Sequence, residues 1–312
     1  MKKIFMPLFI ILILVMSACG EDRSFIEDEY IVRNEAADQE RDGRWEEVEG
    51  FLEMISEREV KTQRFYLYGS EPGFEKVPAV NFGYIPFYTN EELDIIEEIV
   101  PMANKNVRPG KMRAETKYIV IHNTGMASPV MTASRLSKSL QTSTRQASWH
   151  FTVDDREIYQ ELLLDEIGWH AGTPEGNNYG IGIEMAVYQG TDFNAAMRRT
   201  ARLTAKLMLQ YDLDLGDVKR HFDFSGKNCP QVLIESHRWE EFLGLVEMEY
   251  LGQKNFSDVT FIWESLTPAV LDNEGRVVSK SGEAASLRYR VRVILDGQER
   301  AYEFASLLKS LV

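Results

Sequence analysis

The stretch KYIVIHNT, residues 117–124, decides the fold class of this chain. Its apolar run is short, rich in β-branched residues and bounded by polar side chains. Such a run is typical of a strand buried on both faces of a sheet. The strand ends in His122, so it delivers a titratable side chain to its own carboxyl end. We therefore predict a mixed α/β domain over residues 109–250, with a central sheet flanked by helices.

The rest of this domain shows the same alternation of short strands with helices. The periodic segment that starts after Asp192 predicts a long helix with that aspartate as its N-cap. The predicted strands cover residues 148–154, 157–162 and 181–188 and a short segment near residue 218, and the predicted helices cover residues 128–140 and 193–211.

Residues 51–108 form a segment of undetermined role before that domain. Asn90 begins a capped pattern in which apolar residues recur up to Val100, which predicts a helix. The preceding stretch, residues 68–88, is rich in Tyr, Phe, Gly and Pro. It fits a packed irregular connection, with an aromatic ligand-binding surface as the alternative.

The C-terminal segment, residues 253–312, has the alternating pattern of an antiparallel β module. Strands are predicted at VTFIWES, RVVSK, SLRYRVRVIL and ERAYEFA, with a turn at DNEG, residues 272–275. The stretch FIWESLTPAVLDNEGRVV is similar to bacterial immunoglobulin-like repeats. Because the segment is short for a full sandwich, we expect it to be truncated or to borrow a strand.

The first 18 residues have the features of a signal peptide: two lysines, an apolar run and small residues before the cleavage point. The sequence MSAC, which ends at Cys19, resembles the lipobox of bacterial lipoproteins. That resemblance implies acylation of Cys19 and a cell-membrane location on the extracytoplasmic face. A transmembrane anchor is the alternative, but the apolar run is shorter than the roughly 18 to 20 residues that a span requires.

Charge is concentrated after that cysteine. The chain carries a formal net charge of -14, and residues 21–50 hold twelve acidic and four basic side chains. We interpret residues 19–50 as an acidic, solvated tether. From Trp45 onward the apolar residues recur at helical spacing, so the alternative there is the acidic surface of a helix. The chain offers no basic stripe that would release counterions, which argues against nucleic acid as a partner.

Cys229 is the most informative single residue for function. The chain has two cysteines, and the other lies in the export signal, which favours a metal ligand or a nucleophile over half of a disulfide. Four of the five histidines fall in the α/β domain at or near predicted strand ends: His122, His150, His170 and His221. Imidazole and thiolate are ligands that zinc accepts readily, and a catalytic site keeps one position open.

Five motifs in this domain match a known family. They are IVIHNTG, SWHFTVD, GWHAG, YGIGIEM and HFDFSGKNCP, and RPGKM at residues 108–112 matches a lead-in common in bacterial members. In this order and at these separations they resemble the zinc N-acetylmuramoyl-L-alanine amidases of the type-2 family, whose fold is similar to that of peptidoglycan recognition proteins. The resemblance covers about residues 106–240.

The resemblance implies a complete site with one Zn²⁺ ion. His122, His221 and Cys229 correspond to the metal ligands, although other members use aspartate at the third position. Glu184 corresponds to the carboxylate that moves a proton, and Lys227 to the lysine that stabilises the oxyanion.

The remaining aromatic and histidine positions are assigned to substrate. We expect His170 to line the substrate cleft, and we assign Trp149 and His150 to substrate binding as well. The alternative for His150 is that it holds a strand in place. Trp149 stands where members of the wider fold carry a catalytic tyrosine, so acid–base work rests on Glu184. His237 is expected on the surface.

The resemblance predicts an exported, membrane-tethered zinc amidase. It would cut the bond between N-acetylmuramic acid and L-alanine in peptidoglycan or its fragments. One alternative is a non-catalytic peptidoglycan-binding module of the same fold. Another is a hydrolase that uses the Cys229 thiol with His221 as its base.

Overall fold

The structure, a computed structural model, describes residues 41–56, 59–279 and 281–310. The predicted signal peptide and Cys19 lie outside these residues. Contacts divide the chain into two units, residues 1–50 and residues 51–312. Helix α1 covers residues 41–55. The last ten residues of the predicted tether are therefore helical, as the spacing from Trp45 onward indicated. Among the described residues, no helix has the length and apolar character needed to cross a membrane.

A six-stranded sheet forms the centre of the second unit, with the order β4-β7-β6-β8-β5-β9. Strand β7 is antiparallel to β6, and the other pairs are parallel. This mixed sheet confirms the predicted fold class. Its strands are β4 Ile95–Glu97, β5 Tyr118–Asn123, β6 Phe151–Val153, β7 Ile158–Gln160, β8 Gly180–Met185 and β9 Val218–Arg220.

Helices pack against the strands of this sheet. The predicted long helix and its cap are confirmed: α4 begins after Asp192, whose side chain accepts a hydrogen bond from the backbone N–H of Ala195. Helix α2 begins later than predicted because Thr132 caps it and Asp154 accepts from the N–H of Ala133. The helices are α2 Ala133–Thr142, α3 Pro174–Tyr179, α4 Phe193–Tyr211, α5 His221–Ser225, α6 Gln231–Glu235 and α7 Trp239–Asn255.

The predicted helix at residues 90–100 is wrong. Residues 95–97 form β4, which pairs in parallel with β7 at the edge of the sheet. Beyond this strand, the N–H of Val100 donates to the carbonyl of Glu161. Pairing with an open sheet edge satisfies these backbone groups, and this long-range effect overrides the local helical spacing.

The aromatic stretch before β4 begins as a hairpin and not as an irregular connection. Its strands are β2 Gln63–Tyr68 and β3 Lys76–Asn81, which pair antiparallel. Phe65 and Leu67 on β2 are buried, while Tyr66 is 45% exposed. At the tip, the N–H of Ser70 donates to the carbonyl of Gly125 at 2.9 Å. The hairpin therefore touches the loop that follows β5.

A second sheet contains three strands of the C-terminal segment, in the order β1-β12-β11-β10. Strand β1, Glu59–Lys61, lies far upstream in sequence and pairs in parallel with β12, so the segment does borrow a strand. Residues 276–280, predicted as a strand, make only isolated bridges in their described part. In the described chain these strands form one sheet, and the immunoglobulin-like assignment stays a prediction. The strands are β10 Thr260–Ser265, β11 Ala285–Leu295 and β12 Gln298–Lys309.

The RPGKM lead-in is held by a buried ion pair. Arg108 donates from Nε and Nη2 to the two carboxylate oxygens of Glu166 at 2.7 and 2.9 Å, and from Nη1 to the carbonyl of Val100. Two parallel charge-assisted bonds fix the orientation of both side chains. The pair anchors the approach to β5.

Candidate metal centre

Three potential metal ligands converge where β5 and β9 end. His122 lies near the end of β5, His221 follows β9 directly, and these two strands are paired. The Nδ1 atoms of the two histidines are 3.1 Å apart, and Sγ of Cys229 is 3.7 Å from Nδ1 of His122. One ligand atom from each residue lies within 4.8 Å of the other two. The sequence predicted these three residues, and the structure brings them together.

The spacing of these atoms fits a zinc ion. A tetrahedral ion with ligand distances of about 2.0 to 2.3 Å holds its ligands roughly 3.3 to 3.8 Å apart. The His122–His221 separation of 3.1 Å is slightly below that range, and the His122–Cys229 separation of 3.7 Å lies within it. All three side chains are at most 7% exposed. Two imidazoles and a thiol form a donor set that zinc accepts, with a fourth position for water or substrate.

Electrostatics in the cluster favour the imidazoles as neutral ligands. Burial, with the neighbouring histidines and Lys227 adding to it, lowers the pKa of His122 well below its usual value. Burial, followed by the charge of Lys227, lowers the pKa of His221 to about 4. Burial, followed by the charge of Glu184, raises the pKa of the Cys229 thiol to about 12. A neutral imidazole offers a nitrogen lone pair to a metal, and a thiol must lose its proton to become a ligand.

Asn123 connects the two ends of the cluster, and the sequence reasoning missed it. Its Oδ1 accepts a hydrogen bond from the N–H of Val232 in α6, just after Cys229. The loop before α6 is itself held by the N–H of Phe222, which donates to the carbonyl of Cys229. The available signal was a polar side chain at the end of a buried strand.

Glu184 stands beside the cluster on the same face of the sheet. In β8 it is the register partner of His122 on one side and of Thr152 in β6 on the other. Burial raises the pKa of its carboxyl to about 8, and the charge of Lys227 opposes that rise. A carboxyl with this pKa can both hold and release a proton near neutral pH. The Lys227 side chain is exposed, and its charge acts on His122, His221 and Glu184.

His150 and Trp149, two of the residues assigned to substrate binding, differ from each other in burial and in hydrogen-bond partners. His150 is fully buried: its Nδ1 accepts from the N–H of Gly182, and its Nε2 bonds to the carbonyl of Glu166. This geometry fits the alternative role of holding strands. Trp149 is partly buried and donates from Nε1 to Oγ1 of Thr152, the neighbour of Glu184.

His170 is 7% exposed and lies against His122. Its Nδ1 is 3.2 Å from Nε2 of His122. Asn177, which the sequence reasoning also missed, accepts from the backbone N–H groups of His170 and Ala171.

The β2–β3 hairpin touches both segments that follow the cluster residues. Its tip bonds to Gly125, three residues after His122. Tyr68 bonds to Glu235 of α6, and Glu235 accepts from Nδ2 of Asn228, next to Cys229. The segment before the α/β domain is therefore part of the surroundings of the site.

This geometry defines an α/β protein with a candidate single-metal site at the carboxyl ends of parallel strands, where open α/β sheets bind their ligands. Comparison with known proteins agrees. Residues 112–232 match the family model described as N-acetylmuramoyl-L-alanine amidase. That range includes the three cluster residues, His122, His221 and Cys229. It also includes the two polar residues beside them, Glu184 and Lys227.

The names of two curated relatives from Bacillus subtilis state the same activity as the family model. N-acetylmuramoyl-L-alanine amidase CwlH is 39% identical over 152 residues, which are 48% of this chain and 59% of the relative. N-acetylmuramoyl-L-alanine amidase XlyA is 38% identical over 152 residues, which are 48% of this chain and 50% of that protein. The solved structure of the XlyA catalytic domain is 36% identical, with 49% of this chain and 99% of that chain covered at a TM-score of 0.47. The chain spans between half and three fifths of the length of the two curated relatives.

Proposed function

We propose that this chain is a zinc-dependent N-acetylmuramoyl-L-alanine amidase that hydrolyses the amide bond between N-acetylmuramic acid and L-alanine in peptidoglycan. The observation that carries the proposal is the convergence of His122, His221 and Cys229 beside Glu184. The match of residues 112–232 to the amidase family supports the same reaction.

The chain's own residues have distinct tasks in this proposal. His122, His221 and Cys229 would hold the ion, which supplies Lewis-acid chemistry that polarises a carbonyl and acidifies water. The Glu184 carboxylate takes a proton from the attacking water and delivers it to the nitrogen of the leaving L-alanine. The Lys227 ammonium stabilises the negative charge that develops on the carbonyl oxygen.

The two alternative functions fit the site less well. A binding module without catalysis does not need a carboxyl group with a raised pKa beside the ligand cluster. A thiol hydrolase needs a thiolate at neutral pH in the absence of a metal, whereas burial raises the pKa of Cys229 to about 12. As a zinc ligand, by contrast, the thiol would lose its proton when it binds the ion. Glu184 and Cys229 thus favour metal-assisted hydrolysis over both alternatives.

The proposal includes a location at the outer face of the cell membrane, with a lipid anchor at Cys19. Its support is the sequence of residues 1–19: a basic start, an apolar run and small residues before the cysteine. Such an anchor would keep the enzyme next to the cell wall that it hydrolyses.

Digestion of purified peptidoglycan tests the activity directly. The purified protein should release new L-alanine amino termini and free lactyl groups of muramic acid, both identified by mass spectrometry. A metal chelator should stop the reaction, and added zinc should restore it. The proposal is rejected if the protein cleaves only other bonds, or if zinc-loaded protein binds peptidoglycan and releases no L-alanine terminus.

A further inference from the structure

His170 has hydrogen-bond partners at both ring nitrogens. Its Nε2 is 3.3 Å from the carbonyl oxygen of Gly180, and its Nδ1 is 3.2 Å from Nε2 of His122. The Gly180 carbonyl is held in place by a second donor, Nη1 of Arg113, at 3.0 Å. His170 thus lies between a fixed backbone acceptor and one of the proposed metal ligands.

The chemistry of these partners sets the direction of the hydrogen bonds. A carbonyl oxygen can only accept, so Nε2 of His170 carries the hydrogen. In the neutral ring Nδ1 then has only a lone pair, and it accepts from Nε2–H of His122. The lone pair of His122 is left on Nδ1, the atom that faces His221 at 3.1 Å and Cys229 at 3.7 Å.

Glycines of β8 make the space for the His170 ring. A Cβ added at Gly182 would lie 2.8 to 3.1 Å from three ring atoms of His170, and one at Gly180 would lie 3.2 Å from another. Real Cβ atoms rarely approach so closely, so a side chain here would displace the ring. Asn177 fixes the backbone from the other side by accepting from the N–H of His170 at 2.9 Å.

We infer that His170 is a positioning residue that holds His122 in the tautomer and orientation in which Nδ1 faces the metal. Such outer partners of a ligating histidine fix its tautomer and raise its basicity. The inference rests on the proposed zinc site and assigns His170 a task other than contact with substrate. It also explains the glycine at position 182, where the three atoms nearest to an added Cβ all belong to the His170 ring.

Zinc affinity of the purified protein, measured by competition with a chromophoric chelator, tests this inference without reference to activity. His170→Ala should weaken zinc binding by about 10- to 100-fold. His170→Asn should restore much of that loss, because its Oδ1 can accept from His122 Nε2–H at the place of the ring Nδ1. Gly182→Ala should weaken binding although it leaves the imidazole in the chain. The control is His237→Asn, a change at an exposed histidine, which should leave the affinity unchanged.

Nitrogen-15 NMR of metal-free, histidine-labelled protein supplies a readout that general destabilisation does not change. In the wild type the hydrogen of the His122 ring should be on Nε2, and in His170→Ala both tautomers should be populated. Wild-type zinc affinity in His170→Ala, or a hydrogen on Nδ1 of wild-type His122, would overturn the inference. Failure of the wild type to bind zinc at all would instead overturn the proposed site.

Discussion

Oδ1 of Asn123 accepts a 2.9 Å hydrogen bond from the N–H of Val232, across 109 residues of sequence. Asn123 follows His122, and Val232 is three residues beyond Cys229. The Nδ2 group of the same side chain donates to the carbonyl of Thr124. One buried amide therefore sets the position of the strand that carries one proposed ligand relative to the loop that carries another.

Replacing Asn123 with alanine should weaken both the fold and the metal site. The change leaves the Val232 N–H buried without a partner, which costs about 1 to 3 kcal/mol. Zinc affinity should fall because the His122–Cys229 separation is no longer held. Chemical denaturation and chelator competition measure the two effects. Asn123→Asp keeps the acceptor for the Val232 N–H but loses the donor to Thr124 and adds a charge, so it shows whether the acceptor alone suffices. An alanine variant equal to wild type in both assays would contradict the coupling.

Cys229→Ser should lose zinc and hydrolysis together while the core stays folded. A serine hydroxyl does not lose its proton as a thiol does, so it is a poor third ligand. Zinc content per chain, measured by elemental analysis, and circular dichroism separate these outcomes. Cys229→Asp offers a carboxylate in the same place and should recover part of the metal. Full zinc and full turnover in the serine variant would show that Cys229 is not a ligand.

Glu184→Gln should keep zinc and lose turnover. The amide preserves the shape of the side chain but cannot take up a proton, so kcat should fall by roughly 10²- to 10⁴-fold. Lys227→Ala should likewise keep the metal and lower kcat, because it removes the charge that we propose stabilises the oxyanion. Steady-state kinetics on a soluble muropeptide, with zinc content measured on the same samples, checks both. An unchanged kcat in Glu184→Gln would place the proton transfer elsewhere.

Glu161 should make the fold less stable as pH rises. It is fully buried, and burial raises its pKa well above the usual value, although the nearby hydroxyl groups of Thr152 and Ser137 oppose that rise in part. The folded chain then holds a proton that the unfolded chain has lost. The loss of unfolding free energy due to Glu161 is absent below the unfolded glutamate pKa of about 4.3. Above that pH it grows by about 1.4 kcal/mol per pH unit, up to the folded pKa.

Glu161→Gln should therefore remove that part of the pH dependence. Urea unfolding of the metal-free wild type and variant at pH 5, 6 and 7 measures the contribution of Glu161 to the pH dependence of stability. Zinc binding does not contribute, because the metal has been removed. The difference in unfolding free energy should shift in favour of the variant as pH rises. Parallel pH curves for the two proteins would mean that Glu161 is ionised in the fold.

Cys19→Ala should release the protein from the membrane fraction. Acylation at Cys19 would anchor the wild type, whereas the variant cannot take the lipid. Growth with radiolabelled fatty acid, followed by fractionation, measures both properties. A wild type without label, or a Cys19→Ala variant that is still labelled, would leave a plain secreted or signal-anchored protein.

The local sequence pattern predicted some elements well because their residues interact with near neighbours. The 19-residue helix α4 has Asp192 as its cap and a continuous apolar stripe, and both signals lie within the segment itself. The helix predicted at residues 90–100 failed for the opposite reason. Its backbone groups find partners on β7, more than 60 residues away, and no local spacing reports such a partner.

The sequence by itself determined the donor chemistry of the site. Two imidazoles lie at or near predicted strand ends, and a thiol, a carboxylate and an ammonium group lie in the neighbouring motifs. The types of these groups already indicate a metal centre. What the tertiary structure alone decided is how His122 is oriented and what lies beside it. The register of β5 with β8 places Glu184 next to His122, and Gly182 leaves room for the His170 ring. Strand register and the space above a glycine depend on residues distant in sequence, so they become defined only when the chain is packed.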